Sequence, residues 1–499
     1  MAYSKRIGSQ AMISTCVGII AFFVYVTTAP KGLSWDLGGA DSGELAAGVM
    51  LNGLVHSPGY PTYLLLAQIV KGFPVGPFAL RMVIFSAFAA ALTTGFLVYI
   101  GWGQQRQFRP ISVTTTAVIW GLNELVWTQA VIVEVYALAS VFGVLLLYLT
   151  LSIKRDSNAR YWVLWGIVLG VGIGSHYFVG LVAVFAGLWF ISHQQLGIRQ
   201  ILYGTVGVMV GLSVFLWLPM RAGEVLLSNW GNPNTIERFW WVVRGAAFSD
   251  RLDLAVEPQR VGTLIGLIAR QLTPVGIVLI LLGFIRWWKQ TRKWVQIGLP
   301  VIMLNLWIVA GYSSDDTLPY LYPALFIFAL AAGEGIVAIL NWIEQRNDQP
   351  VATLAIGYLI VILLGGLLVS RTFPMVNQAT VDAEIFGRTI VQNAAPNTII
   401  LSDEGHHSFA LRYAVANEQR LDIVPIDLSL LFYDWYRADL VQQLELDKPL
   451  DVRQNGVIRS DLLLEMLPKD QPIITTLTFI AAPVTFIPNE DGLTYVIER

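Results

Sequence analysis

The chain has 499 residues, of which 55% are hydrophobic and only 13% are charged, and its mean hydropathy is +0.61. Soluble globular proteins carry about 25% charged residues, so this composition excludes an ordinary soluble domain and indicates a polytopic membrane protein. The formal net charge of −2 argues against a nucleic-acid partner. The single cysteine, Cys16, lies in an apolar run and excludes an intramolecular disulfide framework.

Apolar segments recur along the chain at about the 20-residue length that an α-helix needs to cross a bilayer. Hydropathy predicts about eleven spans, near residues 11–29, 78–101, 111–128, 131–153, 161–174, 176–192, 201–219, 267–288, 295–311, 318–341 and 351–370. The first follows Lys5 and Arg6 and has no small-residue cleavage site, which is typical of an uncleaved anchor. With a cytoplasmic N-terminus, the basic residues collect on the inside, as the positive-inside rule expects. Three longer segments then face outward: the opening loop 30–77, the long loop 220–266 and the tail 372–499.

The opening loop contains the most distinctive polar pattern. Asp41 and Glu44 are three residues apart, so a helix over 42–54 places both on one face of its first turn. Asp-x-x-Glu ahead of an apolar run also matches a capping box, which is the alternative reading. His56 and Tyr60 follow in "HSPGYPTY", where two prolines and a glycine restrict the backbone. An acid pair and a histidine on rigid backbone at a membrane surface predict a site, and an interfacial histidine without a role is the alternative for His56.

Polar residues beside the next spans are further candidates. Glu134 and Tyr136 lie at the start of a span, where a carboxylate is costly unless it is paired or hydrated. A bond from Glu134 to a neighbouring helix is the alternative. His176 lies on the break "GVGIGSHYF", and such breaks are tolerated where they are buried in protein or line a cavity. A helix cap is the alternative for His176.

Four candidates lie in the later outer segments. Arg221 ends a span, which suits either a phosphate at the interface or a snorkelling side chain. Arg270 lies just inside the outer boundary, where an unpaired charge is costly. Trp230 suits either a sugar-stacking platform or the interfacial aromatic belt. Asp315 occupies a tight outer turn, where a solvated acid is the alternative.

The tail has shorter patterns than the spans. "NTIILSDEG" predicts a strand that enters a loop, and "HSFALRYAVANEQ" predicts a helix. "LDIVPIDL" predicts a second strand, and "TYVIER" predicts a last strand after a turn. We therefore predict a transmembrane unit over 1–371 and a small extracytoplasmic α/β domain over 372–499.

Several of these motifs resemble those of one family. "DSGELAAGVMLNGLVHSPGYPTYLLLA" resembles the first-loop signature of bacterial multi-spanning proteins related to the eukaryotic transmembrane protein 260 family, with Ser57 where the family pattern has a proline. Weaker matches follow in the same order as in the family: "WTQAVIVEVYAL", "SHYF", "LPMRA" with "WGNPNTIERFWWVVRG", "DDTLPYLYPAL" and "SLLFYDWYRADL". The eukaryotic relatives are protein O-mannosyltransferases of the GT-C glycosyltransferase superfamily.

The resemblance implies a reaction in which a hexose leaves a polyprenyl phosphate and passes to an acceptor hydroxyl by a single inverting displacement. In GT-C enzymes an acid of the first outer loop is the base, and Asp41 is the matching residue; Glu44 would orient Asp41 or bind the sugar or acceptor. The leaving phosphate needs hydrogen-bond donors or positive charge. Candidates for donor and phosphate binding are His56, Tyr60, His176, Arg221 and Arg270. Candidates for acceptor or sugar binding are Glu134, Tyr136, Trp230 and Asp315.

The sequence thus predicts a GT-C-like bundle of about eleven transmembrane helices with an outward α/β domain, multi-pass in the plasma (inner) membrane. By the resemblance the donor is a polyprenyl-phosphate hexose, mannose by analogy, and the acceptor is a Ser or Thr of an exported protein or a glycan. We assign no metal ligands to the site. Two carboxylates are a weak metal signature, so the question of a divalent ion held by Asp41 and Glu44 stays open. A transporter or lipid-linked sugar flippase is the alternative function. A transporter would place its polar residues near the bilayer midplane, on helices related by an internal repeat. The candidates in this sequence lie instead at the outer side.

Overall fold

The structure is a computed structural model that describes residues 2–104, 108–194, 196–253, 255–314, 317–346, 349–402, 405–477 and 485–498. Helices dominate it. The first part of the chain forms α1 (Ala2–Thr28), α2 (Ser42–Leu51), α3 (Pro61–Ala67), α4 (Phe78–Gln104), α5 (Arg109–Gly121), α6 (Glu124–Ala130), α7 (Tyr136–Ser152) and α8 (Ala159–Ile173). The bundle continues with α9 (Val179–Gln194), α10 (Ile198–Leu212), α11 (Trp217–Arg221), α12 (Ile236–Val243), α13 (Pro258–Gln290), α14 (Arg292–Gly311), α15 (Tyr322–Glu344) and α16 (Pro350–Gln378).

The predicted polytopic helical class is confirmed. Within the described residues, seven helical segments are long and apolar enough to cross a membrane: Gly8–Thr28, Phe78–Trp102, Ile198–Arg221, Pro258–Gln290, Arg292–Gly311, Leu318–Glu344 and Pro350–Asn393. The other predicted spans fall on shorter helices. The span predicted near 111–128 is divided into α5 and α6, because the Asn123 side chain caps α6 through the Leu125 amide and donates to the Gln271 carbonyl. The cap at Asn123 separates two helices but leaves the mean hydropathy of the segment high, so hydropathy alone predicts one span.

The opening loop is structured and holds two short helices. α2 and α3 pack within the same hydrophobic core as the bundle, through buried residues such as Leu45, Val49 and Tyr63. The long loop pairs with it, since Leu54 donates to the Ser228 carbonyl at 2.6 Å. Both loops therefore lie at one end of the bundle, and they are held there by backbone hydrogen bonds as well as by apolar contacts.

The tail forms the α/β unit that the sequence predicts. Its helices are α17 (Asp382–Asn393), α18 (Gly405–Asn417), α19 (Asp434–Gln443) and α20 (Ser460–Met466). Its strands are β1 (Ile399–Ser402), β2 (Val424–Asp427), β3 (Arg453–Gln454), β4 (Val457–Ile458), β5 (Ile473–Thr475), β6 (Thr485–Pro488) and β7 (Tyr495–Glu498). Five strands form one sheet in the order β2-β1-β5-β7-β6, parallel across β2, β1 and β5 and antiparallel beyond, while β3 and β4 form a separate hairpin.

The tail packs directly on the two loops. The Asp36 carboxylate in the opening loop accepts from the Thr380 amide at 2.9 Å and from its hydroxyl at 3.1 Å. The Asp439 carboxylate in α19 accepts from the side-chain amides of Asn229 and Asn232 in the long loop, at 2.8 and 3.1 Å. The tail is thus joined to both the opening loop and the long loop by side-chain hydrogen bonds.

Candidate active site in the opening loop

A tight turn places His56 and Tyr60 side by side. The Gly59 amide donates to the His56 carbonyl at 2.8 Å, and Gly59 has a φ of 86°, in the region that glycine adopts without a Cβ clash. A Cβ at Gly59 would also lie 2.8 Å from Leu218 of α11. Pro61 then starts α3, where its missing amide hydrogen is not needed. The result is a Tyr60 hydroxyl 3.3 Å from His56 Nε2.

Both carboxylate oxygens of Glu44 bond to His56. Its Oε1 accepts from the His56 backbone amide at 3.0 Å, and its Oε2 lies 2.5 Å from His56 Nδ1. Only 1% of the Glu44 side chain is exposed. A capping box does not form, because Asp41 is the N-cap of α2 without a side-chain capping bond and Glu44 turns to His56 instead. The acid pair therefore belongs to a side-chain cluster rather than to helix capping.

Asp41 lies on the opposite side of the same imidazole. Its Oδ2 is 3.6 Å from His56 Nε2, and 27% of its side chain is exposed. Burial lowers the pKa of His56, but the charges of Asp41 and Glu44 and the hydrogen bond to Glu44, with a smaller effect of Glu134, raise it to about 10. At neutral pH the cluster is consequently an imidazolium held between two carboxylates, one accessible and one enclosed.

An aromatic layer extends the site toward the bundle. The His176 ring stacks on Tyr60 at a centroid distance of 6.0 Å and contacts Tyr136 and Tyr320 at 5.0 and 4.8 Å. His176 Nδ1 accepts from the Phe178 amide at 3.2 Å, so this histidine also orders the chain ahead of α9. The structure thus places His176, in the break between α8 and α9, next to both Tyr60 and Tyr136.

Glu134 lies where the chain passes from α6 to α7. It is buried, and its Oε2 accepts from the Val135 amide at 3.1 Å. Its charge contributes to the raised pKa of His56, which puts it within electrostatic range of the imidazolium. Glu134 is therefore close to the cluster and enclosed by protein, and its role in acceptor or sugar binding stays a prediction.

Two predicted phosphate ligands lie elsewhere. Arg221 Nε donates to the Asn52 carbonyl at 2.8 Å, at the C-terminal end of α2. Because α2 has ten residues, that end is roughly 15 Å from the turn that carries Asp41. Arg270 is 56% exposed and forms an ion pair of 3.4 Å with Glu124. In this arrangement Arg221 fastens α11 to the opening loop, and Arg270 neutralises the start of α6.

The remaining two candidates do not join the cluster either. Trp230 is only 4% exposed and stacks on Trp241 at 5.3 Å, within the apolar core shared by the long loop and the tail. That packing leaves little of the ring for a sugar. Asp315 lies outside the described residues, so its predicted role stays a prediction.

Two aromatic residues that the sequence analysis did not identify pack on the His56 ring. Phe409, from α18 of the tail, stacks on His56 at 6.5 Å with an interplanar angle of 15°. Phe248, from the long loop, meets the same ring edge-on at 6.0 Å. Arg412, one turn beyond Phe409, is a buried cation next to the Phe409 ring. An arginine between apolar residues in "FALRYAV" was the available signal, but only the docking of the tail brings it to the site.

The arrangement suits proton abstraction next to a developing anion. Asp41 is an accessible carboxylate that a hydroxyl can reach, and the imidazolium beside it offers positive charge. In the portions of the chain that the structure describes, no set of three or more His, Cys, Asp or Glu side chains is placed to hold a metal ion.

The bundle, the loop site and the docked tail together define a polytopic membrane protein with the GT-C fold. ArnT from Cupriavidus metallidurans, in a crystal structure bound to undecaprenyl phosphate, superposes with a TM-score of 0.58 at 12% identity and 97% coverage of both chains. The oligosaccharyltransferase of Archaeoglobus fulgidus, in complex with Zn and sulfate, gives a TM-score of 0.51 at 14% identity, over 83% of this chain and 62% of that one.

The resemblance seen in the opening loop is confirmed. Residues 41–196 match the family described as "Protein O-mannosyl-transferase TMEM260 N-terminal domain". The chain is 24% identical over 229 residues to the mouse protein O-mannosyl-transferase TMEM260, covering 43% of this chain and 31% of that protein. It is 22% identical over 489 residues to the Dictyostelium discoideum protein of that name, covering 85% and 58%. The matched stretch is thus less than two thirds of either relative.

Proposed function

We propose that this chain is a membrane glycosyltransferase that moves a hexose from a polyprenyl phosphate to an acceptor hydroxyl, with Asp41 as the base. The GT-C fold and the O-mannosyltransferase names of the relatives support the class of reaction. A solved neighbour holds undecaprenyl phosphate, which supports a lipid-linked donor. Mannose as the sugar and a Ser or Thr hydroxyl of an exported protein as the acceptor follow from the relatives' names.

The observation that carries the proposal is the unequal exposure of the two carboxylates around one imidazolium. Asp41 is 27% exposed and can contact a substrate, whereas Glu44 is enclosed and bonded twice to His56. This difference supports Asp41 as the base and an orienting role for Glu44. A helix cap or a solvated acid pair does not need such an arrangement.

The reaction is a single displacement at the anomeric carbon. The acceptor oxygen attacks that carbon as its proton passes to Asp41, and the bond from the carbon to the phosphate oxygen breaks with its electron pair. The phosphate leaves with the added negative charge, and the configuration inverts. In this proposal the imidazolium of His56 supplies the positive charge that stabilises the departing anion, and Tyr60 and His176 extend the site beside it.

The proposed topology follows from the same site. Polyprenyl phosphates keep their tails in the bilayer, so the reacting end must lie at a membrane surface. We place residues 1–371 in the plasma (inner) membrane with a cytoplasmic N-terminus, and residues 372–499 on the outer side together with the opening loop. The contacts between Asp36 and Thr380 support a common side for loop and tail.

The test is a transfer assay with purified protein in lipid nanodiscs. Radiolabelled polyprenyl-phosphate mannose and glucose are offered with Ser/Thr peptides, and wild type is compared with Asp41→Asn. We expect the variant to lose a factor of about 10² to 10⁴ in rate, the usual contribution of a positioned base. Asp36→Asn is the matched control, because the same substitution in the same loop keeps an oxygen that can accept from Thr380.

Two outcomes would contradict the proposal. Transfer that Asp41→Asn leaves intact would remove Asp41 from the chemistry. Movement of labelled lipid across the bilayer without transfer would support the flippase alternative. The position of the cluster at the loop-covered end of the bundle argues against that alternative, which needs polar groups at the midplane.

A further inference from the structure

A cavity of about 360 Å³ lies between the first turns of α13 and the segment that follows α14. Its polar lining includes Glu257 and Arg260 at the start of α13, and its apolar lining includes Leu264 and Leu267, one and two turns further along the helix. Sites for small molecules have volumes of about 300–1,000 Å³ and combine apolar walls with a few polar groups. The cavity therefore has the size and the graded polarity that suit an amphipathic ligand.

The helix that forms this wall exposes apolar side chains on another face. It belongs to the segment Pro258–Gln290, which is long and apolar enough to cross a membrane. Val261 and Ile265 do not line the cavity, and they are 39% and 61% exposed. In a membrane protein such side chains contact lipid, so hydrocarbon comes within one helix diameter, roughly 10 Å, of the cavity. This position suits a ligand that carries a lipid tail.

An aromatic chain connects the cavity with the cluster around His56. Tyr312 lines the cavity, and its ring centroid lies 5.7 Å from that of Tyr320. Tyr320 contacts His176 at 4.8 Å, and His176 stacks on Tyr60, whose hydroxyl is 3.3 Å from His56 Nε2. The cavity and the imidazolium therefore belong to one continuous region.

Arg251, in the long loop, connects the cavity with the cluster by a shorter route. Its guanidinium carbon is 4.8 Å from the centre of the Phe248 ring, which meets the His56 ring edge-on at 6.0 Å. Its Nη1 donates to the hydroxyl of Ser314, a lining residue of the cavity, at 3.2 Å. Its carbonyl accepts from the Ser313 amide at 2.7 Å, so a backbone bond fixes the residue at the cavity edge. One phenylalanine ring thus separates this guanidinium from the imidazolium.

A phosphate near the cluster needs positive charge that the opening loop does not supply, since it has no lysine or arginine from Gly32 to Val70. Arg221 and Arg270 are bonded elsewhere. In the described parts of the chain, neither Arg251 nor Arg260 forms an ion pair, so both guanidiniums keep donors for a ligand. A guanidinium binds phosphate through two parallel N–H bonds, which makes these two arginines suitable ligands.

We propose that the cavity holds the phosphate end of the donor lipid, with Arg251 as the phosphate ligand nearest the cluster and Arg260 as a second cation in the wall. Leu264 and Leu267 then contact the first part of the hydrocarbon tail. The inference rests on the proposed function for the sugar transfer, but binding of a lipid phosphate needs no catalysis. Glu257 lines the same wall and opposes an anion, so its removal tests the sign of the ligand charge.

The first test measures binding without turnover. Purified protein in detergent is titrated calorimetrically with a short-chain polyprenyl monophosphate, with the corresponding polyprenol and with inorganic phosphate. Arg251→Gln is expected to weaken binding of the polyprenyl phosphate by about 10- to 100-fold, the range of a hydrogen bond to a charged group, with polyprenol binding within about threefold of wild type. Arg260→Gln should weaken it by about 3- to 10-fold, and Glu257→Gln should strengthen it, because a like charge is removed.

Arg346→Gln is the matched control. Arg346 also packs on an aromatic ring, with its guanidinium carbon 4.2 Å from the centre of the Trp342 ring, but it follows the last turn of α15 and does not line the cavity. This variant should bind polyprenyl phosphate as wild type does. Leu267→Trp fills the apolar part of the cavity instead, and it should weaken binding of polyprenol and polyprenyl phosphate alike. Inorganic phosphate that binds as tightly as polyprenyl phosphate would overturn the lipid assignment.

The transfer assay separates this inference from the proposed function. Asp41→Asn should lose transfer and still bind polyprenyl phosphate at least as tightly as wild type. Arg251→Gln should lower kcat/KM by about 10²- to 10³-fold, because the phosphate gains charge as the sugar leaves.

Wild-type affinity for polyprenyl phosphate in both Arg251→Gln and Arg260→Gln overturns the inference, while the Asp41→Asn result stands. If one of these variants does not fold, the affinity of the other decides. If wild type transfers no sugar, the proposed function fails, and loss of lipid phosphate binding in Arg251→Gln still supports the cavity as the site.

Discussion

Gly43→Ala is the sharpest perturbation of the contact between the opening loop and the tail. The added methyl carbon would lie 2.7 Å from backbone atoms of Phe409, where ordinary contact starts near 3.4 Å. The backbone of α18 cannot rotate away as a flexible side chain would. The two helices must therefore separate by roughly 0.7 Å, or α2 must tilt, and Asp41 and Glu44 flank the residue that moves.

The expected effect is large on catalysis and small on stability. Overpacking a tight contact costs about 1–3 kcal/mol. Alanine is about 0.8–1 kcal/mol better than glycine inside a helix, which offsets part of that cost. A shift of this size at the catalytic carboxylates, whose Asp41–His56 distance is already 3.6 Å, should lower the transfer rate by about 10- to 100-fold.

The assay pairs transfer kinetics with thermal unfolding in nanodiscs. Gly187→Ala in α9 is the matched control, because nothing lies within 4 Å of the Cβ that it would add. We expect the control to keep its rate and its unfolding midpoint. If Gly43→Ala transfers sugar at the wild-type rate, the α2–α18 contact does not position the acids. The proposed role of the docked tail would then be wrong.

Two further predictions concern contacts away from the acids. Burial raises the pKa of Asp439 to about 6, although Asn229 and Asn232 lower it. Protonation of Asp439 therefore stabilises the folded protein. This stabilisation is fully present below about pH 3.9, the pKa of an aspartate in the unfolded chain, and it is lost as the pH rises through about 6. Asp439→Asn should flatten the dependence of the unfolding midpoint on pH between 4 and 7, and an unchanged slope would rule this group out. Arg286→Met should destabilise the bundle by about 3–5 kcal/mol, because it leaves Glu334, now 2.9 Å from Arg286 Nε, buried without its partner; an unchanged midpoint together with normal transfer would contradict that reading.

The core of the candidate site is local, and for that reason it could be predicted. Asp41 and Glu44 are one helical turn apart, and His56 and Tyr60 share one turn restricted by Pro58, so short-range geometry alone brings these pairs together. The bond between Glu44 and His56 closes over only a short loop. Little chain entropy opposes such contacts, and the residue types themselves indicate the chemistry.

The long-range members of the site could not be predicted in this way. Arg221 and Trp230 have residue types that suit phosphate and sugar, but the structure uses one to fasten Asn52 and the other to fill an apolar core. Conversely, Phe409 and Arg412 read as ordinary members of a tail helix. Their role depends on which face of α18 meets α2, and no local pattern records a partner that distant in the chain.

The amino-acid sequence by itself determined the class of the protein, because hydropathy and length decide which segments a bilayer accepts. It also determined the opening turn and the strands of the tail, whose signals lie within a few neighbouring residues. Only the tertiary structure decided that the tail docks on the acids, that Phe248 and Phe409 cover His56, and that a buried arginine lies beside Phe409. Those features arise from the fit of surfaces far apart in the chain, and neither segment carries a local pattern that records its partner.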